Sequence, residues 1–294
     1  MECKICGSDV FNVIYDDKIR EGAFGQMTEL PYKMYQCTEC GTIFHDFDIA
    51  HSAEYYQSKE YREGVDGDVS IEQYHKMHDA EVLPKLKYTG TEVFRDAVVA
   101  DIGCGGGSFL DYVAGVAREV VAIEPSEEFR KGLTLRGYRS YAYATDAFED
   151  YEGKIDVLTS FDVIEHVDDP VEFMKDAYRL MKPGAYGFIG TPTNMPVYCE
   201  TLGKTYEKFL YCYQHPWIFS DKGLRICCEK AGFRDIRIEY KQVYGLSNLI
   251  SWLSCRKPKG HTKHDFITDT LDAAYRREVE KQGKADFMVA YVKR

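Results

Sequence analysis

Three groups of residues in this 294-residue chain have types and spacings that carry chemistry. The first is Val98-Val-Ala-Asp-Ile-Gly-Cys-Gly-Gly-Gly-Ser-Phe109, an apolar run that breaks into glycines at Gly103, Gly105 and Gly107. Without a Cβ the backbone there can take positive φ and approach a ligand at the mouth of a parallel sheet. Glu119-Val-Val-Ala-Ile-Glu124 is a second apolar run, and its closing carboxylate lies about twenty residues further on, where an acid that binds ribose hydroxyls belongs. The second group is Cys3-x-x-Cys6-Gly7 and Cys37-x-x-Cys40-Gly41. Both thiols of a pair can reach one ion, and two pairs complete a tetrahedral shell with no open position. A structural Zn²⁺ that replaces a core too small to fold alone is the expectation; a binding module or a redox pair is the alternative. The third group is His166 and His215, whose imidazoles titrate near neutrality and suit the removal of a proton from a hydroxyl.

Asp101-Ile-Gly-Cys-Gly-Gly-Gly107 followed by Glu124 resembles the first two motifs of class I S-adenosylmethionine-dependent methyltransferases. A dinucleotide dehydrogenase would show Gly-x-Gly-x-x-Gly, whereas position 108 is Ser and the tighter Gly-x-Gly-x-Gly follows an acid. Thr145-Asp146-Ala147 resembles the family's third acidic position, which faces the adenine. The stretch Ile155 to Pro170, with Phe161 and Asp162, resembles the fourth motif, and Lys182-Pro-Gly184 resembles the turn before strand five. The resemblance covers roughly residues 70 to 294. It implies S-adenosylmethionine held by Asp101, Gly103, Cys104, Gly105, Gly107, Glu124, Thr145, Asp146, Phe161 and Asp162. Zinc ribbons precede a subset of sugar and small-molecule methyltransferases, so the resemblance also implies a small polar acceptor, a sugar or nucleotide-linked sugar methylated on oxygen. Carbon methylation of a keto-sugar, or methylation of RNA or protein gripped by the ribbon, are the alternatives.

His166 lies just past the fourth strand and His215 follows the fifth, so both are expected at the transferred methyl group, with Glu165 beside them as the third catalytic candidate. His166 has a purely structural alternative, holding loops together. Pro216 and Trp217 are expected to fix a rigid, exposed turn beside His215. Asp162-x-x-Glu165-His166 with His215 is similar to the metal site of small-RNA 2′-O-methyltransferases and to a metal-associated motif of some quinone O-methyltransferases. Two carboxylates and two imidazoles would hold an active-site divalent metal. In most sugar-modifying relatives, however, the residue at Asp162 faces the cofactor, and no active-site ion is the primary expectation.

Positioning these groups requires an alternating α/β order. Strands are predicted near 98–102, 119–123, 140–144, 155–160, 185–190, 233–243 and 286–293, the last two as an antiparallel hairpin. The fold class is therefore α/β, a seven-stranded Rossmann-like methyltransferase sheet with helices on both faces, preceded by a small zinc-ribbon module. The division expected is ribbon at 1–50 and methyltransferase domain at 51–294. Helical spacing over Ser52–Arg62 and Ser70–Lys87 suggests helices across the cofactor mouth. Two substrate-side insertions exceed what the sheet needs. The segment 191–219 carries Tyr198, Tyr206, Phe209, Tyr211, Tyr213 and Trp217, either a stacking floor for a ring or a packed underside; 245–283 has Leu246, Leu249, Ile250 and Leu253 at helical spacing, either a lid or an ordinary amphipathic helix.

A hydrophobic content of 45% is ample for a core, and the net charge of −11 disfavours a nucleic-acid partner. The basic stretch Arg256–Lys263 contains Pro and Gly and reads as a solvated loop. Ten cysteines, four of them in the two pairs, fit reduced thiols better than a disulfide scaffold. No apolar run approaches a bilayer's thickness, so a cytoplasmic location without membrane insertion is expected.

Overall fold

The computed structural model describes residues 1–45 and 71–294. The helix expected over Ser52–Arg62, and the expected boundary near residue 50, lie outside the described residues. Three ribbon strands come first, β1 (Phe11–Asp17), β2 (Tyr32–Cys37) and β3 (Ile43–His45). Helix α1 (Ile71–Thr89) leads into the sheet strands β4 (Val98–Ile102), β5 (Glu119–Ile123), β6 (Arg139–Tyr141), β7 (Ile155–Phe161) and β8 (Met181–Pro192). These are interleaved with α2 (Ser108–Val113), α3 (Glu127–Leu135), α4 (Phe148–Tyr151) and α5 (Pro170–Leu180). Then follow α6 (Pro196–Leu202), α7 (Lys204–Leu210), β9 (Trp217–Ile218), α8 (Asp221–Ala231), β10 (Asp235–Lys241), α9 (Leu246–Cys255), α10 (Asp269–Lys281) and β11 (Phe287–Lys293).

Seven strands form one sheet in the order β10-β11-β8-β7-β4-β5-β6, with β11 antiparallel to both neighbours and the other pairings parallel. The expected fold class is thus what the chain adopts. Every residue of β4 is buried, which is why it reads as an unbroken apolar run: helices cover both faces. Its side chains alternate between two cores. Val98, Ala100 and Ile102 pack with Met174 of α5 and Leu224 of α8, whereas Val99 packs with Val82 of α1, Leu110 and Leu133. Lys182-Pro-Gly184 bulges from the start of β8, with Gly184 at φ +83, because the β7 register steps from Ile155↔Met181 to Val157↔Tyr186. Strand β4 pairs with β5 on one side and β7 on the other, so the winding reverses there and a crevice opens beyond the strand ends, at the glycine turn.

The ribbon does not stand apart. Its sheet is β1-β2-β3-β9, and β9 comes from the long segment after β8, with Ile43 opposite Ile218 and Phe44 opposite Trp217. Trp217 is consequently buried, not exposed as its neighbour Pro216 suggests. A third apolar cluster explains the aromatic richness of the insertion: Tyr198, Tyr206, Leu210 and Tyr211 pack with Ile19, Met34 and Ile43 of the ribbon and Trp252 of α9. Much of that aromatic group is therefore a core, and α9 packs on it through Leu249 and Trp252 as an amphipathic helix.

Candidate active site

The glycine turn is built by β4 and β5 together. Gly103 donates its N–H to Ile123 O at 2.7 Å, tying the turn to the neighbouring strand's end. Its φ is +73 and a Cβ would sit 2.2 Å from Val163 Cγ2; at Gly105, φ +54, a Cβ would meet the Tyr74 hydroxyl at 2.1 Å. Both positions exclude a side chain on conformational and steric grounds. Glu124 is 1% exposed. Its Oε2 accepts the Gly105 N–H at 2.9 Å and its Oε1 the Ser126 N–H at 2.8 Å. An acidic side chain thus braces the turn from beneath, in the place a ribose would be read. Asp101 is buried, accepts from Thr159 Oγ1 at 2.7 Å, and burial pushes its carboxyl up to about 7.

A cleft of about 1390 Å³ opens over this turn. Small-molecule pockets run to about 300–1,000 Å³, so this cleft has room for a nucleoside cofactor and an acceptor side by side. Asp101, Gly103, Cys104, Gly105, Glu124, Phe161, Asp162, Glu165, His166 and His215 all line it. Gly107, Thr145 and Asp146 do not. Gly107 caps α2 at φ +88, and Asp146 turns its carboxylate to the Tyr143 N–H at 3.0 Å, leaving Tyr143 and Ala144 on the cleft wall. Asp162 holds φ +60, unusual for a residue with a Cβ and a mark of strain at a functional position. Its Oδ2 lies 3.3 Å from Lys85 Nζ of α1. Lys85 and Tyr74 were missed as site residues; the signal available was that both fall on the predicted helix over the cofactor mouth.

Beyond the strand ends three further groups converge. His166 Nδ1 is 2.6 Å from Gln214 O; a carbonyl only accepts, so Nδ1 carries the proton and the neutral ring's lone pair is on Nε2. The His215 ring meets it edge to face, centroids 4.6 Å apart. Burial, then the neighbouring His166, then Arg20 hold His215 well below the ordinary imidazole range, so it is an unprotonated base at neutral pH. Glu165 is buried and its Oε2 accepts from Thr191 Oγ1 at 2.9 Å, while Oε1 is buried with no hydrogen-bond partner. Burial, reinforced by Asp162, pushes this carboxyl up to about 8. Glu165, His166 and His215 each bring one donor atom within 4.8 Å of the others. Asp162, the fourth member of the expected metal set, is not among them.

Trp217 holds this corner together. Its backbone N–H donates to Glu165 O at 3.3 Å, its Nε1 to Val167 O at 2.8 Å, and its ring packs on Phe44 of the ribbon at 5.6 Å. In the same core cluster as Phe44 and Trp217, Cys3, Cys6, Cys37 and Cys40 gather their sulfurs within 4.8 Å of one another, with Cys3–Cys40 at 3.7 Å and Cys6–Cys37 at 3.4 Å. A tetrahedral Zn²⁺ with Zn–S bonds of about 2.3 Å needs sulfurs about 3.8 Å apart, so this donor set fits the ion.

Residues 74–238 match the family model described as a methyltransferase domain, which is more than half of the chain. The chain belongs to that family. As a class I S-adenosylmethionine-dependent methyltransferase domain it shares the sheet order and glycine turn described above. The chain is 33% identical over 127 residues to the ubiquinone biosynthesis O-methyltransferase of Thiobacillus denitrificans, a match covering 40% of the chain and 54% of the relative. The protein of the same name from Caulobacter vibrioides is 37% identical over 107 residues, 33% of the chain and 42% of the relative. The chain spans about half the length of the curated relatives it matches. Among solved structures, a SAM dependent methyltransferase from Archaeoglobus fulgidus superposes with a TM-score of 0.52 at 18% identity, over 80% of this chain and 98% of that one. Phosphoethanolamine N-methyltransferase 2 of Haemonchus contortus, in complex with S-adenosyl-L-methionine, gives 0.53 at 15% identity, over 86% of this chain and 61% of that one. These likenesses show the fold.

Proposed function

We propose that this methyltransferase transfers the methyl group of S-adenosylmethionine to a hydroxyl oxygen of a small ring-shaped acceptor, with His215 as the base. The observation that carries the proposal is the edge-to-face pair of His215 and His166 in the cleft that also contains the glycine turn, where burial keeps the His215 ring from taking a proton. In-line displacement at a sulfonium needs an aligned oxygen and a group to take its proton; alignment supplies most of the rate, and an unprotonated imidazole supplies the second need. Gly103, Gly105 and Glu124 hold the nucleoside, and Asp162 with Lys85 flank its methionine end. Phe209, backed by the buried Tyr206 and Trp252, lines the acceptor side and suits a planar ring. The relatives are named for ubiquinone biosynthesis, which favours a phenolic hydroxyl; nothing among them supports the sugar or nucleotide-linked sugar that the ribbon suggests. The test is methyl transfer to catechol and to simple sugars, read by mass spectrometry. The His215→Asn variant is expected to lose about 10²–10⁴-fold in kcat with unchanged S-adenosylhomocysteine affinity. A product methylated on carbon, or unaltered turnover in that variant, would overturn the assignment.

A second mode is favoured by the orphaned Glu165 Oε1 beside two imidazoles. Glu165, His166 and His215 fit a divalent cation, which when bound lowers the pKa of a coordinated hydroxyl. Calorimetric titration of Mn²⁺ or Mg²⁺ into the S-adenosylhomocysteine complex checks this: the expected binding disappears in Glu165→Gln, and no heat with the unaltered protein removes the ion.

A further inference from the structure

Among the described residues the ribbon contributes one charged side chain to the cleft, Arg20, in the loop between β1 and β2. Backbone bonds clamp that loop to the segment carrying His215. Arg20 N–H donates to Tyr211 O at 2.9 Å, Tyr213 N–H to Arg20 O at 2.8 Å, and Gly22 N–H to Gln214 Oε1 at 3.1 Å. The guanidinium is fixed as well: Nε donates to Phe209 O at 3.0 Å, Nη1 to Gly22 O, and the plane lies 5.0 Å from the Phe209 ring centroid. An arginine presents five N–H donors. The groups that answer the guanidinium are these carbonyls and the Cys212 thiol, and among the described residues no carboxylate lies within ion-pair distance of Arg20, although the chain has 48 acidic residues. Two other cations of the same cleft are neutralised: Lys85 faces Asp162 at 3.3 Å and Arg276 pairs with Asp272 at 2.7 Å.

A partly buried guanidinium, held rigid and with no counter-ion among the described residues, on the wall of a binding cleft, is a preorganised receptor for an oxyanion. We propose that Arg20 is an acceptor-specificity residue, and that the acceptor carries a carboxylate or phosphate which the guanidinium binds while the ring's hydroxyl faces His215. This rests on the acceptor cleft assigned above and names the class of molecule that fills it. It also gives the ribbon a part in substrate choice.

Both tryptophans of the chain, Trp217 and Trp252, line the cleft, so intrinsic fluorescence reports its occupancy without turnover. The S-adenosylhomocysteine-loaded protein is titrated with benzoate, phenyl phosphate and the neutral benzyl alcohol. At least one anion is expected to bind about tenfold to a hundredfold more tightly than the alcohol, as charge-assisted hydrogen bonds allow; the tighter of the two identifies the acceptor's group. Arg20→Gln is expected to remove that preference while leaving benzyl alcohol and S-adenosylhomocysteine affinity unchanged, and Arg20→Lys to keep part of it. Equal binding of all three probes to the unaltered protein overturns the proposal. So does an Arg20→Gln protein that weakens the alcohol as much as the anions, the result expected of an arginine that only buttresses its loop. Arg20→Lys and the unaltered protein's own preference decide the matter if the glutamine variant does not fold. Loss of S-adenosylhomocysteine binding by the unaltered protein would instead defeat the methyltransferase assignment itself.

Discussion

At the scale of single residues, Glu124 shows how one carboxylate does two jobs. It satisfies two backbone N–H groups of tight turns, Gly105 and Ser126, and stands where cofactor hydroxyls are expected. Glu124→Gln keeps the size but cannot accept at both oxygens. Each charge-assisted bond is worth about 1.5–3 kcal/mol, so S-adenosylhomocysteine affinity should fall by about 10–100-fold in calorimetry. Undiminished affinity would mean that the acid serves the turn alone. Its place beside the turn was legible from spacing because a parallel neighbour strand must end level with β4. Arg20 was not legible, and Lys85 only through the helix expected over the cofactor mouth. Each is a charged residue in a segment whose sequence gives no motif, and only packing brings them to the cleft.

At the scale of elements, the walls of the acceptor side depend on one buried acid. Asp286, directly before β11, accepts the Val243 N–H at 2.7 Å and the Tyr244 N–H at 2.9 Å, and receives Gln242 Nε2 at 2.7 Å. It therefore pins the stretch between β10 and α9. Burial raises its carboxyl to about 7, and Asp101 is raised likewise. Between about pH 4 and 7 the native state then binds more protons than the unfolded chain. The contribution of these two groups to stability is full below the carboxylate's ordinary pKa and is lost as pH rises through about 7. Urea midpoints at pH 5 and pH 8 should show this fall, and Asp286→Asn should flatten it while lowering the midpoint at both pH values by the loss of an acceptor, about 1–3 kcal/mol. A slope identical in the variant would show that Asp286 does not titrate in this range.

At the scale of the whole molecule, the ribbon and the corner that holds His166 and His215 are one structure. Strand β3 pairs with β9, and Ser220, which caps α8 by accepting the Gly223 N–H at 2.9 Å, also donates to Cys40 O. A metal held by Cys3, Cys6, Cys37 and Cys40 would thus anchor the segment that carries His215. Removing it with a chelator, or substituting Cys37→Ser, is expected to raise hydrogen exchange over residues 211–218 and to reduce turnover more than S-adenosylhomocysteine affinity. The cofactor's turn hangs on β4 and β5, which the ribbon does not pair with. Protected exchange in the metal-free protein would separate the two. Among the described residues no helix is long and apolar enough to cross a membrane.

The sequence by itself determined the sheet, the glycine turn and the four-cysteine cluster, since each depends on local periodicity, on glycine's conformational freedom or on the short reach of a Cys-x-x-Cys pair. It also marked Glu165, His166 and His215, as neighbours in a motif or beside a proline. Only the tertiary structure decided which of these face the cleft together, that Asp162 turns to Lys85 while Asp146 turns away, and that a loop of the ribbon delivers Arg20 beside His215. Those outcomes follow from strand pairing and packing between segments up to about two hundred residues apart, where loop-closure entropy is set against burial and no local spacing records the result.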